Sequence, residues 1–234
     1  MTMITQISSQ PSVFIKRRME WIRLFSGGEG ARILFNRKVD GSAMTKIRAF
    51  GGQQPRIASD AWIDETAVVI GAVSLESGAS IWPLCVVRGD IHRIEIGAGT
   101  NIQDGSVLHV SRDSRFMPGG APLMIHERVT VGHQVVLHGC EIQDHCLVGI
   151  GARVLDRAIL RPRTLLGAGS LVAPGQVLEG GYLWLGTPAR RVRSLTDQEL
   201  EYLDDVAENY VRLAARHRVE QGAHDQPPPP AVGR

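Results

Sequence analysis

A six-residue repeat of aliphatic residues is the feature that most constrains the fold of this chain. It runs from residue 63 to residue 178 with two insertions and a single five-residue step. Six is neither the period of a helix, about 3.6 residues, nor the two-residue period of a strand, so each hexad indicates one short strand and one corner. All repeat positions hold Ile, Val or Leu: Ile63, Val69, Leu75, Ile81, Val87, Ile96, Ile102, Leu108, Ile125, Val131, Leu137, Ile142, Val148, Val154, Leu160, Leu166, Val172 and Leu178.

Three such hexads form a triangular coil of about 18 residues, with aliphatic side chains pointing inward and corners that favour glycine. Stacked coils bury an aliphatic column that a single coil leaves exposed. The composition agrees, since 26 glycines and an aromatic content of 5% favour a tightly turning fold. We therefore predict an all-β chain with a parallel β-helix over residues 44–193, in preference to a sandwich of short strands.

Two insertions interrupt the repeat, at Arg88–Ile94 and at Val110–Met124. Both are predicted to be loops that project from the rigid coil, where functional side chains are commonly presented. Beyond Leu178, a turn-rich stretch with several glycines is predicted to end the repeats.

A C-terminal helix is predicted over residues 194–218. Thr196 and Glu199 form a capping box at its start. Its apolar residues fall on one stripe, which is expected to pack along the outside of the coil: Leu200, Leu203, Ala207, Tyr210 and Ala214.

The two ends of the chain are predicted to lie outside the folded unit. Residues 1–43 begin like the leader of a bacterial β-galactosidase cloning vector, and Met44 opens a natural-looking start, so this segment is predicted to be vector-derived or a mis-assigned start. Within it, Phe14–Phe25 is expected to form at most a short basic amphipathic helix. Residues 219–234 contain four consecutive prolines and are predicted to be a disordered tail.

Charge and cysteine content limit the function classes. The net charge is only +2, and the basic excess is concentrated in the first 43 residues, so the remainder offers no nucleic-acid surface. Cys85, Cys140 and Cys146 form no CxxC pair, which fits a reducing compartment. No apolar run approaches the ~20 residues that a membrane span requires. We predict a cytoplasmic protein with neither a nucleic-acid nor a membrane partner.

Three histidines within the repeats are candidate metal ligands: His109, His133 and His138. Val131 and Leu137 occupy the neighbouring inward positions, so the histidines beside them can point outward. Imidazole is the commonest zinc ligand, and three protein ligands with one open position is the catalytic pattern. From their spacing alone, it is equally possible that these are surface histidines that bind no metal. The other histidines are interpreted as structural or solvated: His92, His126, His145, His217 and His224.

A series of short motifs runs in order between Asp60 and Arg193: Ile81–Pro83, Val87–Asp90, Asn101–His109, Val129–His133, Leu137–Cys140, Gly149–Ala152 and Gly186–Ala189. Through them the chain resembles the γ-class carbonic anhydrase family, particularly its shorter bacterial branch. The resemblance implies a left-handed β-helix and a homotrimer. It also implies zinc held between subunits by His109 and His138 of one chain and His133 of its neighbour. The implied reaction is reversible hydration of CO2 to bicarbonate by a zinc-bound hydroxide.

Further roles are implied only by this resemblance. Gln103 matches the glutamine that hydrogen-bonds the metal-bound water, and Asn101 lies beside it. Arg88 matches an arginine that pairs across the subunit interface with the aspartate matching Asp104. Asp90 matches an aspartate that lines the same interface. Tyr210, on the predicted C-terminal helix, matches a tyrosine near the site.

Departures from the family pattern leave other functions open. Ile91 and Arg112 stand where the archaeal-type enzymes are expected to carry glutamates for proton transfer, so slow turnover is expected. Hydrolysis of a CoA thioester, or an acyltransferase-like activity, is an alternative, because hexapeptide β-helices also host such chemistry. A non-catalytic metal-binding or assembly protein is a second alternative. Fe2+ or Co2+ could replace Zn2+ with the same ligands.

Overall fold

The structure is a computed structural model that describes Ser12–Arg17, Glu20–Phe25 and residues 46–224. The chain divides into two compact units, residues 1–44 and 45–234. In the first unit, β1 (Ser12–Arg17) and β2 (Glu20–Phe25) pair antiparallel. The helix expected over Phe14–Phe25 is therefore wrong, since β-branched and aromatic residues in this segment favour strands. Apart from these two strands, residues 1–43, which were predicted to be vector-derived or a mis-assigned start, lie outside the described residues.

The second unit consists of short strands joined by tight corners. In chain order its strands are β3 (Ile47–Arg48), β4 (Arg56–Ile57), β5 (Trp62–Ile63), β6 (Val68–Leu75), β7 (Ser80–Ile81), β8 (Val86–Ile96), β9 (Asn101–Ile102), β10 (Val107–His109), β11 (Leu123–Ile125), β12 (Thr130–Val131), β13 (Val136–His138), β14 (Glu141–Ile142), β15 (Leu147–Val148), β16 (Arg153–Val154), β17 (Ile159–Leu160), β18 (Leu165–Leu166), β19 (Leu171–Val172), β20 (Val177–Leu178), β21 (Tyr182–Leu185) and β22 (Arg190–Ser194). One helix follows, α1 (Asp197–His224).

Every third strand stacks in parallel on the previous coil, which gives three faces. Face 1 consists of β3, the first halves of β6 and β8, and β10, β13, β16 and β19. Face 2 consists of β4, the second halves of β6 and β8, and β11, β14, β17 and β20. Face 3 consists of β5, β7, β9, β12, β15, β18 and β21, with β22 added antiparallel. The predicted parallel β-helix with a C-terminal helix is confirmed.

The aliphatic repeat forms the core as predicted. Of its positions, all but the partly buried Ile63 are buried and stack in register along the three faces. The tight corners use the left-handed backbone region, as at Gly139 with φ of 54° and Arg157 with φ of 58°. The faces therefore differ only in the residues that point outward between these core positions.

One predicted insertion differs from the structure, and the strands continue beyond the aliphatic hexads. The segment Arg88–Ile94 is not a projecting loop, because β8 runs through it and pairs with β6 across a register shift after Gly71. The strands also continue beyond the aliphatic hexads of Ile63–Leu178, from Ile47 at one end to Trp184, which stacks on Leu166, at the other. Both ends lie within the span of residues 44–193 that was predicted for the β-helix.

Helix α1 covers part of face 3. Glu199 N donates to Thr196 Oγ1 at 3.2 Å and Thr196 N donates to Glu199 Oε2 at 2.9 Å, which is the predicted capping box. Of the predicted stripe, Leu203, Ala207 and Ala214 are buried. The helix ends at His224, six residues beyond the predicted boundary at 218. Residues 225–234 of the predicted tail lie outside the described residues.

Among the residues that the structure describes, no helix combines the length and apolarity that a bilayer crossing requires.

Candidate metal centre

His109 and His138 stand side by side on face 1. They end β10 and β13 and are opposite each other in the strand register. Arg88 occupies the same position one coil earlier, because Val87 pairs with Leu108. Since the residues before and after each of these positions point into the core or form the corner, the three polar side chains are displayed in one outward column.

The two imidazole rings face each other through nitrogen atoms. His109 Nδ1 lies 3.1 Å from His138 Nε2. The other nitrogen of His109, Nε2, lies 3.1 Å from Asp90 Oδ1, and Arg88 Nη1 donates to Asp90 Oδ2 at 2.6 Å. One ring nitrogen of His109 is thus held by a carboxylate and the other points toward His138.

This pair fits a zinc ion. Zinc binds imidazole nitrogen at about 2.0–2.1 Å, so two nitrogens on a tetrahedral ion lie about 3.3 Å apart. The 3.1 Å between His109 Nδ1 and His138 Nε2 is close to that spacing. A carboxylate on the remaining nitrogen of a ligating histidine is also the usual partner in such sites.

The local electrostatics favour a neutral imidazole at His109. Burial lowers the pKa of His109 below its usual value, and the hydrogen bond with Asp90 offsets this only in part. Burial opposes ionisation of Asp90, but its hydrogen bonds with Arg88 and His109 outweigh burial and lower the pKa of that carboxyl. A neutral imidazole beside an ionised carboxylate is the state that binds metals.

Asp156 is a member of this cluster that the sequence reasoning missed. His138 Nδ1 lies 2.9 Å from Asp156 Oδ1, and Ser111 Oγ donates to the same oxygen at 3.0 Å. Val154 pairs with Leu137, which places Asp156 at the corner next to Gly139. Counting the coil register through the five-residue step would have revealed this stacking.

His133 lies at the opposite edge of face 1. Its column, at the corner between faces 3 and 1, contains Asp104 one coil earlier and Ile150 one coil later, as the pairing of Val131 with its neighbours requires. His133 Nδ1 lies 3.0 Å from Asp104 Oδ2. A strand rises about 3.3 Å per residue, so the path along face 1 separates His133 from His138 by on the order of 10–15 Å.

One chain therefore brings together two of the three predicted ligands. Within residues 46–221, no group of three or more His, Cys, Asp or Glu side chains is arranged to hold a metal ion. Of the predicted ion pair, Arg88 contacts Asp90 and Asp104 contacts His133 in this chain. The assignment of His109, His133 and His138 to one centre stays a prediction that requires a second copy of the chain.

Gln103 and Asn101 are held rigidly beside His133. Both side chains are buried on face 3. Gln103 Nε2 donates to Asn101 Oδ1 at 3.0 Å, and Asn101 Nδ2 donates to Thr130 Oγ1 at 3.0 Å. These two hydrogen bonds fix the orientation of both amides and leave the carbonyl oxygen of Gln103 to accept a hydrogen bond from a bound molecule.

A groove of about 410 Å³ opens between face 3 and α1. Gln103 and His133 line one part of it, with Tyr210, which sequence reasoning placed near the site, and with aliphatic residues such as Ile150 and Leu165. Burial raises the pKa of Tyr210. Tyr210 therefore stays a neutral phenol near neutral pH and can donate a hydrogen bond into the groove.

The long insertion carries little acid–base capacity. It lies between β10 and β11, and a bridge between Ser111 and Ala121 closes its base. Asp113, its only acid, accepts a hydrogen bond from Gly119 N at 2.9 Å and so supports the loop. Ile91 and Arg112, in place of the expected glutamates, are exposed.

The cysteines are unsuited to metal binding. Cys85, Cys140 and Cys146 are all free and buried. Burial raises the pKa of Cys85 to about 11 and that of Cys146 to about 12, and it raises the pKa of Cys140 as well. The thiolate is the form that ligates metals, so these side chains act as small apolar residues of the core.

Three relatives cover most of the β-helical unit. Protein YrdA of Escherichia coli (strain K12) is 48% identical over 181 residues, which are 77% of this chain and 98% of that protein. Gamma carbonic anhydrase 2, mitochondrial, of Arabidopsis thaliana is 40% identical over 168 residues, 72% of this chain and 60% of the plant protein. Carnitine operon protein CaiE of Salmonella agona (strain SL483) is 36% identical over 170 residues, 73% of this chain and 82% of that protein.

Two solved structures are similar in fold and sequence. A hexapeptide transferase family protein from Anaplasma phagocytophilum has a TM-score of 0.65 and 39% identity, over 71% of this chain and 94% of that chain. A putative acetyltransferase from Bacillus cereus has a TM-score of 0.69 and 33% identity, over 73% of this chain and 95% of that chain. No protein-family profile matches the chain.

Proposed function

Because the chain belongs to the γ-class carbonic anhydrase family of hexapeptide-repeat proteins, we propose that it hydrates CO2 reversibly to bicarbonate at a zinc site between two subunits. The observation that carries the proposal is the facing pair of His109 Nδ1 and His138 Nε2, 3.1 Å apart. These two histidines and His133 of the partner subunit would hold the ion and leave one position open. When bound, zinc lowers the pKa of a water in that position and so supplies a nucleophile at neutral pH.

The residues around the ligands have separate roles in this proposal. Asp90, held by Arg88, fixes the ring orientation of His109. Gln103 would act as the catalytic residue that accepts a hydrogen bond from the reacting water and orients it toward CO2. Its amide is already fixed by Asn101, so little reorganisation is needed.

Proton release is the expected weak step. A general acid–base group near the water speeds proton transfer by about 10²–10⁴-fold, and Ile91 and Arg112 cannot serve in this way. We therefore expect a CO2 hydration rate that rises with the concentration of imidazole buffer at constant pH. A rate independent of buffer would instead indicate a protein proton acceptor.

The outward row of face 1 supports the proposal that this face contacts a second copy of the chain. Register places Val68, Val86, Val107 and Val136 in one stacked row between core positions. A contiguous apolar row on a protein surface typically marks a contact between proteins. This row lies between the edge that carries His133 and the edge that carries His109 and His138, so contact through face 1 in a closed trimer would bring both edges to a neighbouring subunit.

Stopped-flow measurement of CO2 hydration by the zinc-loaded protein tests the reaction. We expect activity in the unaltered protein and its loss in His138→Ala, with His126→Ala, a histidine outside the site, as the matched control. Equal rates for the unaltered protein and His138→Ala would refute the proposal.

Mixing two inactive variants tests the division of the site between subunits. His133→Ala retains the facing histidine pair, and His138→Ala retains the other edge, so a mixed trimer can assemble intact sites. Random mixing at equal amounts gives about a quarter of the sites both intact edges. Activity that stays absent after unfolding and reassembly of the mixture would show that each site is built within one chain.

Metal identity follows from affinity and supply, since Fe2+ and Co2+ accept the same imidazole ligands as Zn2+. Metal analysis of protein purified without oxygen, combined with its mass in solution, tests both the ion and the trimer. One ion per subunit in a protein of three-fold mass is the expected result.

The groove favours a second candidate function, hydrolysis of an acyl thioester. Its volume of about 410 Å³ exceeds what CO2 occupies, and aliphatic side chains line it beyond Gln103 and His133. A series of acyl-CoA substrates, followed by release of free thiol, separates the two functions. Thiol release that is lost in His138→Ala, without CO2 hydration, would favour the thioesterase. Bound metal with neither activity would favour a non-catalytic metal-binding or assembly protein.

A further inference from the structure

Each of the three histidines has an aspartate on one ring nitrogen. Asp90 contacts His109 and Asp104 contacts His133, and both aspartates lie in motifs that the family resemblance already covers. The third contact, between Asp156 and His138, involves an aspartate outside those motifs. As at Asp90, which Arg88 holds, a second side chain also anchors this carboxylate.

Asp156 joins the ligand to the base of the long insertion. Its Oδ1 lies 2.9 Å from His138 Nδ1 and accepts a hydrogen bond from Ser111 Oγ at 3.0 Å. Ser111 N in turn donates to Ala121 O at 3.0 Å, which closes the base of the insertion. The carboxylate is therefore fixed from two directions, by a strand end on one side and by the loop base on the other.

Gly139 provides the space for this carboxylate. Its φ of 54° lies in the left-handed region. A Cβ at this position would overlap Asp156 Oδ1 and lie 2.8 Å from Ala121 Cβ. A glycine directly after the ligand His138 thus serves the contact as well as the corner.

We propose that Asp156 is the positioning residue of His138, and that Ser111 holds its carboxylate in place. An acceptor on Nδ1 selects the tautomer that has its proton there, and this leaves the lone pair of Nε2 directed at His109. Without the carboxylate, the ring can rotate and the proton can occupy either nitrogen. The inference rests on the proposed metal site, and it concerns metal affinity, which is measured separately from turnover.

Zinc affinity, measured by competition with a chelator, tests the inference in Asp156→Ala. Loss of such a partner typically lowers metal affinity by about 10–100-fold, and we expect a loss in this range. Asp156→Asn retains an acceptor oxygen and should recover part of the affinity. Ser111→Ala, which removes only the anchor, should cost a few-fold at most. The Co2+ absorption spectrum should shift in Asp156→Ala, because the geometry at His138 is relaxed.

Asp144→Ala is the matched control. Asp144 stands two residues after a core aliphatic residue, as Asp156 does, and accepts a hydrogen bond from Glu127 N at 3.0 Å instead of contacting a ligand histidine. The zinc affinity of the Asp144→Ala variant should equal that of the unaltered protein. The solution mass and melting temperature of each metal-free variant exclude unfolding as the cause of a loss.

The outcomes separate this inference from the proposed function. Equal zinc affinity in Asp156→Ala and the unaltered protein, with both folded, would overturn the role of Asp156 and leave the metal site standing. An unaltered protein that binds zinc but does not hydrate CO2 would overturn the proposed reaction alone. An unaltered protein without measurable zinc affinity would overturn both.

Discussion

Faces 1 and 3 are built on the same aliphatic column but differ in what covers them. On face 3 the outward residues Trp62, Ser80, Asn101 and Thr130 are buried, and α1 contacts the strands that carry them. On face 1 the stacked valines include Val107, which remains 41% exposed. Within residues 46–224 no helix covers that face. The chain thus completes one face by itself, while the other is suited to a second copy.

Face 2 shows that an outward row need not be covered. Its outward row mixes the polar residues Arg56, Ser74, Glu95 and Glu141 with the apolar residues Met124, Ile159 and Val177. Arg93 pairs with Glu95 at 2.7 Å on this surface. The alternate positions of the hexad, which the aliphatic repeat leaves unconstrained, therefore decide whether a face binds solvent, a helix or another subunit.

A charge on face 1 should have the largest effect. Val107→Glu would place an unpaired carboxylate in the proposed contact, at a cost of about 3–5 kcal/mol. We expect the mass in solution to fall toward that of one chain, together with loss of zinc binding. Val177→Glu on face 2 is the control, since Val177 is 42% exposed at the equivalent outward position. Identical masses for the two variants would contradict the comparison.

The second largest effect is expected when a buried side chain of α1 that packs on face 3 is shortened. Leu203 is only 1% exposed, so Leu203→Ala should lower the free energy of unfolding by about 2–4 kcal/mol through lost burial and a cavity. Urea unfolding measures this change. The exposed neighbour in Glu201→Ala should stay within about 0.5 kcal/mol. A similar loss in both would show that α1 is not held by its buried stripe.

Removal of the helix cap should have a smaller effect. Thr196→Ala deletes the acceptor for Glu199 N and should cost about 1 kcal/mol. The same urea titration applies, with Thr187→Ala, outside the helix, for comparison. Arg193 donates to the Glu199 carboxylate at 2.7 Å. No change in Thr196→Ala would mean that this ion pair holds the helix start without the cap.

The smallest effect is expected at the ionic contact between α1 and the corners of the coil. Burial opposes ionisation of Asp204, but hydrogen bonds from His145 and Arg163 outweigh it and lower the pKa of Asp204. A lowered pKa contributes stability above the unfolded value of about 4, and this is lost as the pH falls through the folded value.

Asp204→Asn should therefore cost less than about 1 kcal/mol near pH 7, because the groups are partly exposed. The difference from the unaltered protein should shrink as the pH falls below about 4. Thermal melting across this pH range provides the measurement. A difference that grows on acidification would contradict the assigned sign.

Much of the fold could be predicted because its signal is periodic. The inward positions from Val69 to Leu178 were identified from spacing. The helix start was predicted at residue 194 and lies three residues later, at Asp197, directly after the capping residue Thr196. The β8 segment was misassigned, since an insertion in the repeat does not reveal whether it leaves the coil or bulges within a strand. Here the chain bulges while remaining paired with β6.

The candidate site was less accessible to sequence reasoning. His109 and His138 were named from motifs, yet their distance depends on an insertion between them that the coil absorbs without losing register. Asp156 carries no local signal, because its partner His138 lies one coil away. The position of His133 on the opposite edge likewise follows from the corner geometry and not from its five-residue separation from His138.

By itself, the sequence determined the coil, its core and the residue types available for a metal site. This is because a period of six and the requirement to bury aliphatic side chains act locally on every hexad. The tertiary structure alone decided which polar groups meet, since stacking joins residues about 18 or more positions apart. It also decided that one chain presents two of the predicted ligands at one edge and the third at the other, because the width of face 1 separates them.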